Sequence, residues 1–164
     1  IKNNLLNWLI SYLKDRNQIV HFMGTKSNTK EITCGVPQGS VVGPLLFLIY
    51  INDLCQVSTF FHFILFADDT NAFASGTNLN QLSSKINSEL ILVSEWFASN
   101  KLSLNLSKTN YIIFHSSRKK IIDNYSLHFN NNSIARASSC KFLGVVIDEH
   151  LTWSLHITNI KNKI

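Results

Sequence analysis

Apolar residues recur at intervals of three and four positions in three parts of the chain, and this spacing predicts amphipathic helices. The predicted helices cover residues 3–15, 79–98 and 151–164. A fourth segment, residues 42–53, is apolar on nearly every side, which favours a helix buried in a core. Ser40 stands just before this segment and could cap the helix. The apolar run is well short of the ~20 residues that a membrane-spanning helix needs.

Shorter apolar or alternating segments between the helices predict β-strands. They lie at residues 18–23, 31–34, 60–67, 71–74, 111–114, 126–129, 133–136 and 142–147. Polar turns separate neighbouring segments, as at residues 24–30 and 68–70, so we expect antiparallel hairpins. Together these elements predict an α+β fold, in which an antiparallel sheet is covered by helices on one face.

The composition is that of a globular protein. Hydrophobic residues make up 45% and charged residues 15% of the 164-residue chain, which argues against disorder. The length suits one domain or a piece of a larger one, and we expect a piece because the pattern looks cut at Ile1 and at Ile164. A net charge of +5 allows a polyanionic partner without requiring one.

Neither the cysteines nor the histidines show metal-binding spacing. Cys34, Cys55 and Cys140 lie far apart and form no CxxC pair. We therefore expect reduced, partly buried thiols of an intracellular protein, and no zinc site. The six histidines show no spacing of the HxxxH kind, so none is assigned to a metal.

Two neighbouring carboxylates directly follow an apolar strand. Asp68 and Asp69 come after Phe66 in the sequence FADDT. Burying two adjacent charges without partners is strongly unfavourable, so the pair lies either on a solvated turn or where a cation binds. Paired carboxylates suit Mg²⁺, and nucleotidyl transfer with two metal ions ~4 Å apart is a reaction that such a site would serve.

The sequence GVPQGS at residues 35–40 is a second candidate for binding chemistry. Two glycines around Pro37 cannot continue a helix or a strand, so they predict a shaped loop. Such a loop exposes backbone N–H groups that a planar or phosphorylated ligand can approach closely. We expect the acidic turn to pack beside this loop and to face a ligand-sized gap.

Six motifs, taken in order along the chain, resemble those of reverse transcriptases: GVPQGS, GPLLF, IND, FADD, LSLNLSKT and FLGVVID. The segments WLISYLKDRNQIV and CGVPQGSVVGPLLFLIYINDL are similar to non-LTR retrotransposons of the jockey-like and LINE-like kind. The resemblance covers residues 5 to about 156. It implies a palm-type antiparallel sheet at residues 35–148, part of the fingers before it at residues 1–34, and the start of the thumb at residues 149–164.

The resemblance also implies catalytic roles for single residues. Asp68 and Asp69 would bind catalytic Mg²⁺, two ions in the intact enzyme, with Mn²⁺ as a substitute. Phe66 would help to hold the primer terminus. Lys108 resembles a basic residue near the leaving pyrophosphate, although a solvated lysine before a strand explains it equally well.

Two segments resemble substrate-binding parts of the same enzymes. One resembles the loop that lines the pocket for the template base and the incoming nucleotide: Pro37, Gln38 and Gly39. The other resembles the primer grip: Phe142, Leu143 and Gly144. The implied partners are an RNA template, a DNA primer and deoxynucleoside triphosphates.

One feature of reverse transcriptases has no counterpart here. A further metal-binding Asp belongs to a strand motif that precedes the first helix, and only four residues precede Leu5. Asp15, Asp53 and Asp148 are poor substitutes because they end or follow other elements. We therefore expect these 164 residues by themselves to have little or no polymerase activity.

Two alternatives remain open on the sequence. The chain could be a remnant that binds nucleic acid or a protein partner without catalysis. It could also be a piece of a group II intron type reverse transcriptase, which shares the glycine loop and an aromatic-Ala-Asp-Asp turn. The WLISYLKDR segment favours the retrotransposon branch.

Overall fold

A computed structural model describes residues 2–37, 39–119, 121 and 125–163, which divide into a unit of residues 1–52 and a unit of residues 53–164. In the first unit, helix α1 (Asn4–Leu13) leads into four short strands, and helix α2 (Gly43–Ile51) follows. The strands are β1 (Arg16–Gln18), β2 (His21–Phe22), β3 (Thr25–Lys26) and β4 (Lys30–Ile32). The predicted helices and hairpin are thus confirmed in this unit.

The hairpin of the first unit turns earlier than predicted. Strand β1 pairs with β4 and β2 pairs with β3, both antiparallel, so the turn lies at Met23 and Gly24 and not over residues 24–30. Both turn residues have positive φ, 46° and 80°, which glycine adopts at little cost. A two-residue turn of this kind matches the twist of the strands that it joins.

Helix α2 is present but its predicted burial is wrong. Among its side chains only Ile51 is buried, and Leu45 and Ile49 are more than half exposed. The helix is apolar all round, and a neighbouring layer on one side can cover only one face of it. Ser40 does support its start, since the Ser40 hydroxyl oxygen accepts a hydrogen bond of 3.0 Å from the Gly43 N–H.

The second unit contains most of the buried apolar side chains. A 3₁₀ helix (Asn52–Gln56) starts at the last residue of the first unit, and strands β5 (His62–Phe66) and β6 (Asp69–Phe73) and helix α3 (Leu79–Ser99) follow in the second unit. Strands β7 (Asn110–Tyr111), β8 (Leu127–Phe129), β9 (Asn132–Arg136), β10 (Ser139–Phe142) and β11 (Val145–Asp148) follow, and helix α4 (Ser154–Lys161) comes last. The buried apolar side chains are Leu54, Phe61, Val93, Leu127, Phe129 and Ile134.

Helix α3 is the longest element and follows its predicted range closely. Its amphipathic face packs against β8, where the rings of Phe97 and Phe129 meet edge to face with centroids 6.0 Å apart. Asn78 caps its first turn, because the side-chain oxygen accepts hydrogen bonds from the Asn80 and Gln81 N–H groups. The predicted turn between β8 and β9 is also confirmed, with Asn130 and Asn131 both at positive φ.

The strands do not form one antiparallel sheet in the described part of the chain. They form four two-stranded sheets and one three-stranded sheet, and in the latter β7 runs parallel to β9. Most pairs are local hairpins, because tight turns return each strand directly onto its neighbour. The α+β class is confirmed, and the single sheet that was predicted is not.

The prediction of one strand over residues 142–147 is wrong. Strands β10 and β11 pair with each other, and Phe142 lies opposite Val145. Leu143 and Gly144 form the turn between them, with φ of 47° and 91°. The apolar run therefore folds back on itself, because Gly144 permits the left-handed backbone. The predicted burial of Cys34 and Cys55 is also wrong, since both are exposed.

A buried carboxylate organises the connection from β11 to α4. Asp148 accepts hydrogen bonds from the N–H groups of His150, Thr152 and Trp153, and from the Thr152 hydroxyl, over 3.0–3.2 Å. Burial alone would raise the pKa of Asp148, but these donors hold it below its ordinary value. Residues 151–153 are therefore held in a loop, and the helix predicted from residue 151 begins only at Ser154.

A second buried carboxylate, Glu89, ties α3 to the chain that enters β5. The Ser58 hydroxyl donates a hydrogen bond of 2.7 Å to the Glu89 carboxylate. Its oxygen accepts hydrogen bonds of 3.2 Å from the N–H groups of Phe60 and Phe61. Lys85, one turn earlier on α3, forms an ion pair with Glu89. The hydrogen bonds from Lys85 and from Ser58 lower the pKa of Glu89 despite its burial.

We predict that Glu89→Gln lowers stability at neutral pH and that this loss vanishes in acid. The folded-state pKa of Glu89 is lower than its ordinary value of 4.5. The ionised Glu89 therefore contributes to the free energy of unfolding above pH 4.5, and this contribution declines as the pH falls below that value. Urea unfolding of both proteins from pH 7 to pH 3 measures the difference. Glu95→Gln, on an exposed position of the same helix, is the matched control. If the difference in unfolding free energy between Glu89→Gln and wild type stays constant down to pH 3, the prediction is contradicted.

Candidate functional site

The acidic pair lies at the tip of the β5–β6 hairpin, as the sequence predicts. Phe66 is the last residue of β5 and lies opposite Asp69, the first residue of β6, so Ala67 and Asp68 alone form the turn. Ala67 has a φ of 50°, which an L side chain rarely adopts. Both carboxylates are exposed, and neither has a side-chain hydrogen bond or ion pair among the residues that the structure describes.

The strand that precedes the acids alternates between two environments, which explains how an apolar segment leads into a charged turn. Phe61 is buried and Phe63 and Leu65 are half-buried, whereas Ile64 and Phe66 are exposed. Successive side chains of a strand point to opposite faces, so only one face of β5 packs on the protein. Phe66 keeps 58% of its surface in solvent at the tip, next to the carboxylates.

The glycine loop of the first unit adopts the backbone that its sequence predicts. Gly35 and Gly39 both have positive φ, 74° and 78°, and among the described residues beyond their chain neighbours no atom lies within 4 Å of where a Cβ would stand on either. Pro37 is exposed, and its carbonyl accepts the Ser40 N–H over 3.2 Å. Gln38 lies outside the described residues. The predicted proximity of this loop to the acidic turn stays a prediction.

Sequence reasoning missed a residue that holds this loop. The Arg16 guanidinium donates hydrogen bonds to the backbone carbonyls of Gly35 and Cys34, and its Nε donates to the Leu13 carbonyl over 3.0 Å. Arg16 therefore links the end of α1 to the start of the loop. The only signal in the sequence was a fixed cation at a helix end, a position where an arginine often contacts backbone carbonyls.

Lys108 lies on an exposed turn just before β7. The Lys108 N–H bonds to the Asn105 carbonyl over 3.1 Å, and the Thr109 hydroxyl bonds to the same carbonyl over 2.9 Å. Ser107 donates to the Asn105 side chain over 2.7 Å, so the turn is held at three points. The lysine residue at this turn is exposed.

The residues that resemble a primer grip form a hairpin turn. Phe142 ends β10 and is half-buried, and Leu143 and Gly144 are the two exposed residues of the turn. This turn and the acidic turn belong to the same unit. Neither of two open cavities in that unit, of about 290 and 200 Å³, is lined by Asp68 or Lys108.

The structure brings together two histidines that linear spacing did not connect to each other. His115 and His150 meet beside Glu149, and the three side chains form the one group of possible metal ligands in the described part of the chain. The spacing of the histidines gave no sign of this group, because it depends on a long-range backbone contact in which the His115 N–H donates to the Glu149 carbonyl.

Comparison with known proteins decides the family. The family described as "Reverse transcriptase (RNA-dependent DNA polymerase)" matches residues 2–147, most of the chain. The chain belongs to the reverse transcriptase family. The predicted resemblance is therefore confirmed, and the matched range runs from before the glycine loop to Ile147 in the last motif.

Several relatives of this reverse transcriptase chain come from mobile elements of flies. It is 32% identical over 160 residues to a "Probable RNA-directed DNA polymerase from transposon X-element" of Drosophila melanogaster, covering 95% of this chain and 17% of the relative. It is 30% identical over 158 residues to the "RNA-directed DNA polymerase from mobile element jockey" of the same species, covering 92% of this chain and 17% of the relative. The "RNA-directed DNA polymerase from mobile element jockey" of Drosophila funebris is 27% identical, and the alignment covers 96% of this chain and 18% of the relative.

These comparisons support the jockey-like, non-LTR branch that the sequence favours. The chain spans about 17% of the length of the first two relatives. No solved structure matches the chain. Among the described residues, no helix is both long enough and apolar enough to cross a membrane.

We predict that Ala67→Gly stabilises the protein by up to about 1 kcal/mol. The left-handed backbone costs a non-glycine residue about 1–2 kcal/mol, and glycine avoids this cost. Part of the benefit is lost because glycine also gives the unfolded chain more conformational entropy. Urea unfolding measures the change. Ala72→Gly is the matched control on the neighbouring strand, where glycine is expected to destabilise by about 0.5–1 kcal/mol. Equal destabilisation by both substitutions would show that the turn is not strained.

Proposed function

We propose that this chain is the part of an RNA-directed DNA polymerase that carries the catalytic carboxylate pair. The observation that carries the proposal is the two-residue turn of a reverse transcriptase family member, which presents Asp68 and Asp69 to solvent on a paired hairpin. In the reaction, the 3′ hydroxyl of a primer forms a bond to the α-phosphate of a deoxynucleotide, and pyrophosphate leaves. The template would be RNA, and the primer and product would be DNA.

The acidic turn fits Mg²⁺ by its donor chemistry. Mg²⁺ prefers carboxylate oxygens together with substrate phosphates and water, and a site with one or two protein carboxylates is ordinary for it. Asp68 and Asp69 are adjacent, exposed and without competing ion pairs among the described residues. When bound, Mg²⁺ or Mn²⁺ would activate the primer hydroxyl and neutralise charge on the phosphates, with two ions in the intact enzyme.

Other side chains of the chain would bind and orient the substrates. We assign Lys108 to the departing pyrophosphate, where a cation stabilises developing negative charge. We assign Phe66 to the primer terminus, where an exposed ring can contact a base or sugar. The turn that contains Leu143 and Gly144 would hold the primer backbone, together with Phe142.

The glycine loop would approach the template base and the incoming nucleotide. Pro37, Gln38 and Gly39 are the residues assigned to this contact. The open space around the Cα of Gly39 supports the assignment, because a ligand can approach a glycine backbone more closely than any other.

The subdomains follow from these assignments. Residues 35–148 would form the palm, residues 1–34 the connection from the fingers, and residues 149–164 the start of the thumb. The boundary after residue 148 coincides with Asp148, whose carboxylate organises the loop into α4.

A second function, binding of nucleic acid without catalysis, is supported by a different observation. The chain carries a net charge of +5, and acidic residues are adjacent only at Asp68–Asp69 and at Asp148–Glu149. Electrostatic binding to a phosphate backbone needs no metal centre. Metal titration distinguishes the two functions, because only an enzyme-derived centre requires the carboxylates to bind a divalent ion.

We predict that Asp68→Asn and Asp69→Asn each weaken Mn²⁺ binding to the 164-residue chain. Each substitution removes one anionic ligand from the turn, and the expected loss is about tenfold or more. Electron paramagnetic resonance of free Mn²⁺ measures binding. Asp53→Asn, an exposed acid of the same unit, is the control and should bind Mn²⁺ like wild type. Identical affinities in all four proteins would refute the metal site.

We also predict that the 164-residue chain alone shows little or no primer extension. Two other aspartates of the second unit are poor candidates for a third ligand: Asp148 already accepts several hydrogen bonds, and Asp53 lies in a 3₁₀ helix. Extension of a DNA primer on an RNA template, followed with and without Mg²⁺, tests this expectation. Mg²⁺-dependent extension that Asp68→Ala abolishes would show that the residues present are sufficient.

A further inference from the structure

His115 meets the consecutive residues Glu149 and His150, which lie more than 30 positions later in the sequence, where β11 ends. Ligand atoms of His115, Glu149 and His150 all lie within 4.8 Å of one another. His115 Nε2 and Glu149 Oε2 are 3.7 Å apart. Ligand atoms around a tetrahedral zinc ion stand about 3.3 Å apart, given bonds of about 2.0–2.1 Å. Small side-chain rotations would therefore bring the three groups to metal-binding distance.

Both imidazole rings make the kind of hydrogen bond that metal-binding histidines usually make. His115 Nδ1 lies 3.0 Å from the Ser116 carbonyl oxygen, and His150 Nδ1 lies 3.1 Å from the His115 carbonyl oxygen. A carbonyl oxygen only accepts, so each Nδ1 carries the proton in these hydrogen bonds. Each Nε2 then keeps its lone pair. A metal-bound histidine typically donates its other N–H in this way, which fixes the tautomer and the ring orientation.

The backbone also holds the three residues together. The His115 N–H donates to the Glu149 carbonyl over 3.1 Å, and the Glu149 N–H donates to the Ser138 carbonyl over 2.9 Å. The N–H of His150 donates to the buried Asp148 carboxylate over 3.0 Å. A site built on such fixed backbone loses little conformational entropy when a ligand binds.

The cluster contains one carboxylate, and a neighbouring arginine competes with a metal ion for it. Arg136 donates to Glu149 Oε2 over 3.0 Å and so positions the carboxylate. A carboxylate has two oxygens and about four lone-pair sites, so this contact leaves acceptor capacity. The side chains of His115 and Glu149 keep only 12% and 20% of their surface in solvent, whereas His150 is exposed and gives access from outside.

We propose that His115, Glu149 and His150 bind a zinc-class divalent ion, with a fourth position open to water. Two imidazoles and one carboxylate suit Zn²⁺, Co²⁺ or Ni²⁺, and they do not suit Mg²⁺, which prefers oxygen ligands. The ion would fasten the segment after β7 to the connection between β11 and α4. This proposal is independent of the proposed polymerase function, because it uses none of the residues assigned to that reaction.

The test uses the 164-residue chain freed of metal with a chelator and then titrated with ZnCl₂ in excess Mg²⁺. We expect one Zn²⁺ per chain and a higher Tm with zinc. We expect His115→Gln and His150→Gln each to weaken zinc binding by about tenfold or more, and to remove the gain in Tm. Co²⁺ should give the visible absorption of a four-coordinate site in wild type and not in His115→Gln or His150→Gln.

His128→Gln, at an exposed position on β8, and Asp68→Asn are the matched controls, and both should bind zinc like wild type. Nuclear magnetic resonance of the histidine ring protons needs no variant, since zinc should shift the signals of two of the six histidines. Absence of saturable zinc binding, or equal affinity in wild type and both ligand variants, would overturn the proposal. In that case the cluster consists only of the Arg136–Glu149 ion pair and an edge-to-face contact of the His115 and His150 rings, whose centroids are 4.6 Å apart.

Discussion

The position of the acidic hairpin depends on one buried carboxyl group. Glu89 accepts a hydrogen bond from the Ser58 hydroxyl and forms an ion pair with Lys85. The Ser58 oxygen in turn accepts hydrogen bonds from two backbone N–H groups just before β5. A buried charge is tolerated only when it is paired and hydrogen-bonded, so these partners must stay together as one network. Because the network joins α3 to the base of the hairpin, it fixes where the strand that ends in Phe66 begins.

From that fixed base, strand register determines where the carboxylates emerge. Phe66 lies opposite Asp69, so the turn has only two residues and Asp68 stands at its tip. A slip of one residue would move every side chain of β5 to the other face and would bury the exposed Phe66 in place of Leu65. The half-buried face of β5 thus protects the geometry of the acidic turn, although none of its apolar side chains takes part in chemistry.

The sequence predicted the features that depend on local signals. The long helix, the Asn turn between β8 and β9 and the acidic turn all follow from periodicity or turn chemistry within a few residues. Prediction from the sequence did not succeed where the local structure depends on residues that are distant along the chain. The run through Leu143 and Gly144 looks like one strand until its two halves pair, and the ligand cluster exists only because the backbones of His115 and Glu149 meet. Motif order identified the family, which neither periodicity nor composition could do.

Arg16 shows how far the glycine loop depends on residues outside its own motif. Its guanidinium satisfies two carbonyls at the start of the loop from a position 18 and 19 residues earlier in the chain. Those carbonyls would otherwise need water or another donor. The loop is thus not a transferable unit: exchanging residues 35–40 between related elements would preserve its shape only if an arginine at the end of the first helix were exchanged with them.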